Sequence, residues 1–239
     1  ETGDMASYYR VYTEMQDFCI AHQMMPMVTA RPVNPLIVEG SKTAAFETHL
    51  QLGHSPDTVI VPVGGGGLCG GTWKGFSELY NVGLSATRPR ILAAQHGGPN
   101  NLPLDRFNDA SIDRGNLYVP LDGDWAWKSV RASGGRYLGM LQMRVPEAQA
   151  LLASYEGIVA EPQGATSTAG LLEAVDRGLL SRNETIVVYV TGHGLKDLPS
   201  LAQAQKLYRV GEELRVDSLA SSDVYVSPPD NTTKDHFDE

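Results

Sequence analysis

The sequence predicts an α/β protein: an open, mostly parallel sheet in three layers, with helices on both faces. Three observations carry this. Short β-type runs alternate with helix-period runs over most of the 239 residues. Glu184-Thr185-Ile186-Val187-Val188-Tyr189-Val190 is a near-continuous apolar run of the kind found in a parallel strand covered on both faces. Thr58-Val59-Ile60-Val61 leads into Pro62-Val63-Gly64-Gly65-Gly66-Gly67, a strand-to-helix turn. Such sheets bind ligands beyond the C-terminal ends of their strands.

Taken in order, residues 5–23 read as a helix, with Tyr8, Tyr12, Met15 and Phe18 three or four apart. Val28-Thr29-Ala30 is extended, and Pro32 and Pro35 are expected to delay the next helix to about Glu39. Ser41–Leu52 is a helix ended by Gly53. Strand 58–63, helix 69–80 and strand 90–95 follow, then a polar loop over 96–125 rich in Gly, Asn, Asp and Pro. Residues 125–145 hold two elements whose type the pattern leaves open. Pro146-Glu147 opens a helix to Tyr155, and Ile158-Val159-Ala160 reads as a short strand. The next helix runs from Thr166, a candidate N-cap, to Leu179, with Leu171, Leu172, Val175 and Leu179 on one face. The polar stretch after about residue 211 reads as a loose extension.

Composition narrows the function. The net charge is −9, and no Lys/Arg cluster interrupts this acidity, so neither nucleic acid nor an anionic membrane is an expected partner. No stretch approaches the roughly 18 apolar residues of a membrane span, and no signal-peptide pattern is visible. Cys19 and Cys69 are too few for a disulfide framework or a zinc site. A cytoplasmic protein is expected. The sequons at Asn183 and Asn231 read as chance matches. The first residue is Glu1 rather than Met, which suggests a processed product or a piece of something longer.

Four blocks carry chemistry. Gly64–Gly67 sit where bare backbone N–H groups and a helix N-terminus can hold a phosphate without a basic side chain. A tight turn for close packing would need only one or two glycines. The loop is no Walker A motif, since no Gly-Lys-Ser/Thr follows, and no acidic residue completes a dinucleotide fingerprint. An NAD-binding domain is therefore disfavoured. Thr191-Gly192-His193-Gly194-Leu195-Lys196-Asp197 follows the clearest strand. A hydroxyl at Thr191 can pair with a ring nitrogen, and Gly192 lets a ligand approach the backbone. His193 and Lys196 read first as a satisfied loop histidine and a solvated lysine at a helix start, and second as cleft residues. Glu161-Pro162-Gln163-Gly164-Ala165 opens a helix; Glu161 is either a cleft carboxylate or a plain strand-end acid. Asn34-Pro35-Leu36-Ile37-Val38-Glu39-Gly40-Ser41-Lys42-Thr43 is either functional or an extended linker into a helix, with Glu39 and Lys42 paired.

Together with Trp73-Lys74-Gly75-Phe76, these blocks resemble the tryptophan-synthase-β superfamily, the fold type II enzymes of pyridoxal 5′-phosphate, and within it the threonine-synthase-like branch. The resemblance covers roughly residues 5 to 200. It implies an amino-acid lyase or synthase working by β- or γ-elimination and replacement, and a homodimer. Gly64, Gly65, Gly66 and Gly67 would cradle the cofactor phosphate, and Thr191 with Gly192 would face the pyridine nitrogen. Arg31, Asn34 and Glu161 would lie at the substrate. By the same analogy residues 1–35 end a small domain, 36–210 form the cofactor-binding large domain, and 211–239 are the C-terminal extension.

Two departures qualify the resemblance. Threonine synthases carry Asn-Ser before the Asn-Pro block and an Arg within it, where this chain has Arg31-Pro32 and Ile37. The usual Asn of the glycine loop is Gly65, as in serine/threonine dehydratases. A different anionic amino acid then becomes a candidate substrate, with Arg31 replacing part of the phosphate site. Dehydration and β-replacement stand as the rival reactions. Second, none of the six lysines (Lys42, Lys74, Lys128, Lys196, Lys206, Lys234) has the context of the lysine that holds the cofactor. That lysine is expected from an N-terminal half, in the same or a separate chain, and this chain alone is expected to be inactive. The non-enzyme alternative is a binding module that has lost catalysis.

Overall fold

The computed structural model describes residues 5–96, 122–140 and 144–201. Four parallel strands form one sheet in the order β3-β2-β1-β4: β1 (Thr58–Pro62), β2 (Arg90–His96), β3 (Arg136–Met140) and β4 (Ile186–Val188). Thr58 pairs with Arg90 on one side and Ile186 on the other, and Leu92 pairs with Arg136. Parallel strands are joined by crossovers, and the crossover helices, together with a helix that precedes β1, supply the two outer layers.

The alternation within β1 divides the core. Val59 and Val61 point to one face, where they pack with Cys69, Phe76, Ile91, Ala93, Ala126 and Val130. That face is covered by α3 (Thr43–Leu52), α4 (Gly67–Asn81) and α5 (Gly123–Ala132). Ile60 points to the other, among Leu92, Ala94, Leu138, Val145, Ala148, Ala165 and Ala169. There α6 (Arg144–Leu151) and α7 (Pro162–Asp176) form the layer. Small residues let α7 lie close: a Cβ on Gly170 would come within 2.7 Å of Ala94. The three-layer parallel architecture read from the sequence is the one observed.

The details differ where proline and the sheet edge decide. Pro35 does not delay a helix; it opens α2 (Pro35–Glu39) from the first turn, where its missing N–H costs nothing, with Asn34 as the cap. A 3₁₀ turn, Gly40–Lys42, joins α2 to α3, which ends at Gly53 (φ 75°) as expected. Pro162 acts in the same way, so α7 starts four residues before Thr166, and Glu161 stands at the cap position. Thr166 is an interior residue whose hydroxyl donates to the Pro162 carbonyl (3.0 Å). The two untyped elements are α5 and β3. Helix α6 ends in a π turn, Leu152–Glu156. Residues 158–160 form no sheet strand; Ala160 makes one antiparallel bridge to His193. The strand expected over 184–190 is assigned to Ile186–Val188, whose side chains are half-buried; among the described residues β4 is the edge of the sheet. Residues 97–121, most of the stretch expected to be a loop, and the expected extension 211–239 lie outside the described residues.

Candidate cofactor and substrate site

The strand order locates a crevice. From β1 the chain steps to β2 and then β3 on one side, and later returns to the other side of β1 to lay down β4. The crossover leaving β1 runs over one face of the sheet and the one entering β4 over the other, so the strand order reverses at β1, the place where sheets of this kind bind ligands beyond the C-terminal strand ends. Gly64–Gly67 follow β1, and Thr191-Gly192 follow β4. The topology brings the two blocks to the same end of neighbouring strands.

The glycine turn has an open half and a packed half. Gly64 and Gly65 are exposed, and a Cβ on either would meet nothing within 4 Å. Gly66 is the N-cap of α4 with φ 99°, a conformation that L side chains rarely adopt. A Cβ there would lie 2.7 Å from the Asp122 carbonyl oxygen. Gly66 has no side chain with which to cap, so the first N–H groups of α4 are left for a ligand. The turn is braced from behind. Ser41 Oγ donates to the Gly67 carbonyl (3.2 Å) and to Val38 O (2.6 Å). Cys69, one turn in, is fully buried, and burial pushes its thiol up to about 12; it is a packing residue rather than a nucleophile.

Asp122 connects this turn to the segment before α2. Its backbone N–H donates to Gly65 O (2.9 Å). Its carboxylate, with no exposed surface, accepts the backbone N–H of Arg31 at 3.0 and 3.2 Å. The Arg31 guanidinium lies 5.3 Å over the Trp125 ring, with Nε 3.8 Å from Asp122. Arg31 thus reaches the glycine turn through Asp122. Asn34 is buried and engaged locally: Nδ2 donates to Pro26 O (2.8 Å), and Oδ1 accepts from Ile37 N (3.3 Å). It shapes the segment that carries Arg31. Asp122 and Trp125 were missed in the sequence, where both fall at the end of the stretch read as a polar loop, 96–125; α5 in fact begins there, at Gly123.

On the β4 side Thr191 is exposed, and Gly192 is half-buried beneath Glu161. A Cβ on Gly192 would collide with the Glu161 carboxylate, and one on Gly164 would lie 2.6 Å from the Gly192 backbone. Glu161 N donates to Gly192 O (2.9 Å), and its carboxylate accepts Lys196 Nζ (2.9 Å). His193 Nδ1 accepts the Leu195 N–H (3.1 Å), which leaves the proton of the neutral ring on Nε2. Glu161, Gly192 and Lys196 are one hydrogen-bonded unit. Among the described residues no His/Cys/Asp/Glu group could hold a metal ion.

A family model described as "Pyridoxal-phosphate dependent enzyme" matches residues 4–192. The chain belongs to this family, whose cofactor is pyridoxal phosphate. It is 38% identical over 168 residues to a threonine synthase of Mycobacterium bovis, covering 69% of this chain and 47% of that protein. A threonine synthase of Methanocaldococcus jannaschii is 35% identical over 187 residues, covering 73% of this chain and 46% of its own length. The chain thus spans about half the length of these curated relatives. Among solved structures, the processed form of threonine deaminase isoform 2 from Solanum lycopersicum matches with a TM-score of 0.55 at 20% identity. That match covers 74% of this chain and 48% of the other. An L-serine ammonia-lyase from Rhizomucor miehei matches with a TM-score of 0.55 at 22% identity, covering 72% and 57%. These two likenesses establish the shared fold.

Proposed function

We propose that this chain is the cofactor-binding part of a threonine-synthase-like enzyme that acts on an amino acid by β- or γ-elimination and replacement. The carrying observation is the open glycine turn of β1 beside Thr191 of β4 at the strand-order reversal. The turn suits a phosphate: at Gly64 and Gly65 a Cβ would meet none of the described residues, and the helix N-terminus that follows has no side-chain cap. Gly64, Gly65, Gly66 and Gly67 hold the phosphate of the cofactor, and Thr191 with Gly192 meets the ring nitrogen. The bound cofactor supplies the electron sink that stabilises a carbanion. Because the Thr191 hydroxyl is neutral, it does not hold that nitrogen protonated, and this steers the reaction towards elimination and replacement. Glu161, tied to Gly192 and Lys196, borders the substrate side, and Asn34 holds the segment from which Arg31 offers its guanidinium to an anionic substrate.

The lysine that holds the cofactor is supplied by an N-terminal half, and the assembled enzyme is a homodimer. Support comes from the relatives' double length and from β4 having one strand neighbour among the described residues. The test is to co-express the chain with that segment and record cofactor absorbance with and without borohydride. A band that borohydride fixes to a lysine of the N-terminal segment is expected, with turnover absent from residues 1–239 alone. A folded assembly without the band would overturn the reading.

A second reading, dehydration or β-replacement on serine, threonine or phosphoserine, is favoured by Gly65 and Ile37 standing where threonine synthases carry Asn and Arg. A substrate panel separates the two: phosphohomoserine as the one productive substrate would remove the second. A module that binds the cofactor without turning over any of these substrates would point to the non-catalytic alternative.

A further inference from the structure

Asp122 places a negative charge against the turn that is to hold a phosphate. Its Oδ2 lies 3.1 Å from where a Cβ on Gly67 would stand. Its main chain also touches the turn, through the N–H on Gly65 O and the carbonyl beneath Gly66. The carboxylate has 0% exposed surface, whereas the side chain of the facing cation, Arg31, is 47% exposed. The described charges on the elements packed around it are engaged elsewhere. Glu39 of α2, Lys42 of the 3₁₀ turn and Lys74 and Glu78 of α4 form their own quartet. On α5, Asp124 pairs with Lys128, and Arg131 lies over Trp127. A half-solvated guanidinium whose Nε is 3.8 Å away compensates a buried carboxylate poorly. Burial accordingly outweighs the Arg31 N–H and the Arg31 charge, and holds the Asp122 carboxyl above the usual carboxylate range.

A phosphate dianion arriving at the turn adds a second anion to this desolvated corner. A phosphate there would have the first N–H groups of α4 as donors, while among the described residues the Asp122 carboxylate accepts the one N–H of Arg31. The carboxylate is therefore the anion that gives up its charge. We infer that Asp122 is a positioning residue of the phosphate turn, taking up one proton from solvent when a phosphate ester occupies the turn and releasing the Arg31 guanidinium towards an anionic substrate. The step is balanced: one proton from water or buffer bonds to one carboxylate oxygen, and the other oxygen keeps the Arg31 N–H. This inference rests on the cofactor site proposed above.

The test is calorimetric titration of the assembled protein with pyridoxine 5′-phosphate, which lacks the aldehyde and cannot link to a lysine. Titrations in buffers of different ionisation heat count the protons exchanged. The ligand's own protons cancel between wild type and Asp122→Asn, whose amide oxygen still accepts the Arg31 N–H. Wild type is expected to take up more protons than Asp122→Asn, the excess growing towards one per site as pH rises above the pKa of the carboxyl in the free protein and falling again above its pKa in the complex. Asp122→Asn should also bind about threefold to tenfold more tightly at mildly alkaline pH, where wild type must find the proton. A wild-type measurement stands independently of the variant's folding. The infrared difference spectrum on binding should lose carboxylate absorbance and gain a protonated-carboxyl carbonyl band. Equal proton counts in the two proteins, or no such band, would overturn the inference while leaving the cofactor site standing. Failure of the wild-type assembly to bind the ligand at all would overturn the site itself.

Discussion

Gly66 carries the sharpest residue-level demand in the site. Its φ of 99° and the Asp122 carbonyl 2.7 Å from its absent Cβ exclude a side chain on two independent grounds. Gly66→Ala is expected to cost about 1–3 kcal/mol of stability, read from denaturant unfolding. It should weaken cofactor binding by about tenfold or more, since each 1.4 kcal/mol lost from the turn is a factor of ten. Gly64→Ala, where a Cβ meets nothing, should leave stability nearly unchanged while disturbing binding alone. Equal losses of stability in the two variants would show that the turn does not have the open and packed halves described. The glycines were legible from their run after a strand. Asp122 was not, because its importance comes from burial against Gly66 and Gly67, and burial across 55 residues of chain leaves no local pattern.

At the level of elements, α4 has to approach its neighbours closely. A Cβ on Gly71 would collide with Ser41 Oγ, and one on Gly75 would lie 2.5 Å from the Lys42 carbonyl. Helix propensity alone favours Ala over Gly by about 1 kcal/mol. Gly71→Ala is nevertheless expected to destabilise by about 1–3 kcal/mol through overpacking, a reversal of sign that chemical denaturation detects. The same helix carries half of a charge quartet. Lys42 and then Lys74 hydrogen-bond Glu39 and hold its carboxyl below the ordinary value, and Lys74 and then Lys42 do so for Glu78. The lowered folded-state values make this contribution full above the ordinary carboxylate pKa and lose it as pH falls through the folded values. Solvent screening limits it to about 1 kcal/mol or less. Glu78→Gln should remove the corresponding part of the acid sensitivity in a pH series of urea unfolding. It should also reduce the salt dependence at neutral pH.

Over the whole molecule, the half-buried edge strand β4 is the feature that the described residues leave incomplete. Ile186, Val188 and Val190 pack on one layer, and Val187 and Tyr189 on the other, yet one long side of the strand has no described neighbour. A strand edge of this composition invites a further strand. Assembly with an N-terminal half that pairs with this edge is expected to slow amide exchange at those β4 N–H groups that do not face β1. Hydrogen exchange of the chain with and without that half makes the measurement. Unchanged exchange throughout β4 would place the N-terminal half elsewhere. Among the described residues no helix is long and apolar enough to cross a membrane.

Periodicity and glycine placement were enough to read the parallel three-layer fold, most of α1 (Met5–Ala21), α3 and α4, strands β1 and β2, and the glycine turn that joins β1 to α4. These are properties of neighbouring residues: an apolar repeat specifies a buried face, and a glycine run specifies bare backbone. Pro35 misled because a missing N–H obstructs a helix interior but is harmless in a first turn, and the cap that decides between them is a matter of three-dimensional placement. The Asp122–Arg31 link, the collision of Glu161 with any side chain at Gly192, and the edge position of β4 likewise arose from folding. Each joins residues distant in the chain, and desolvation and contact at such a distance come into being only when the sheet has put its layers together.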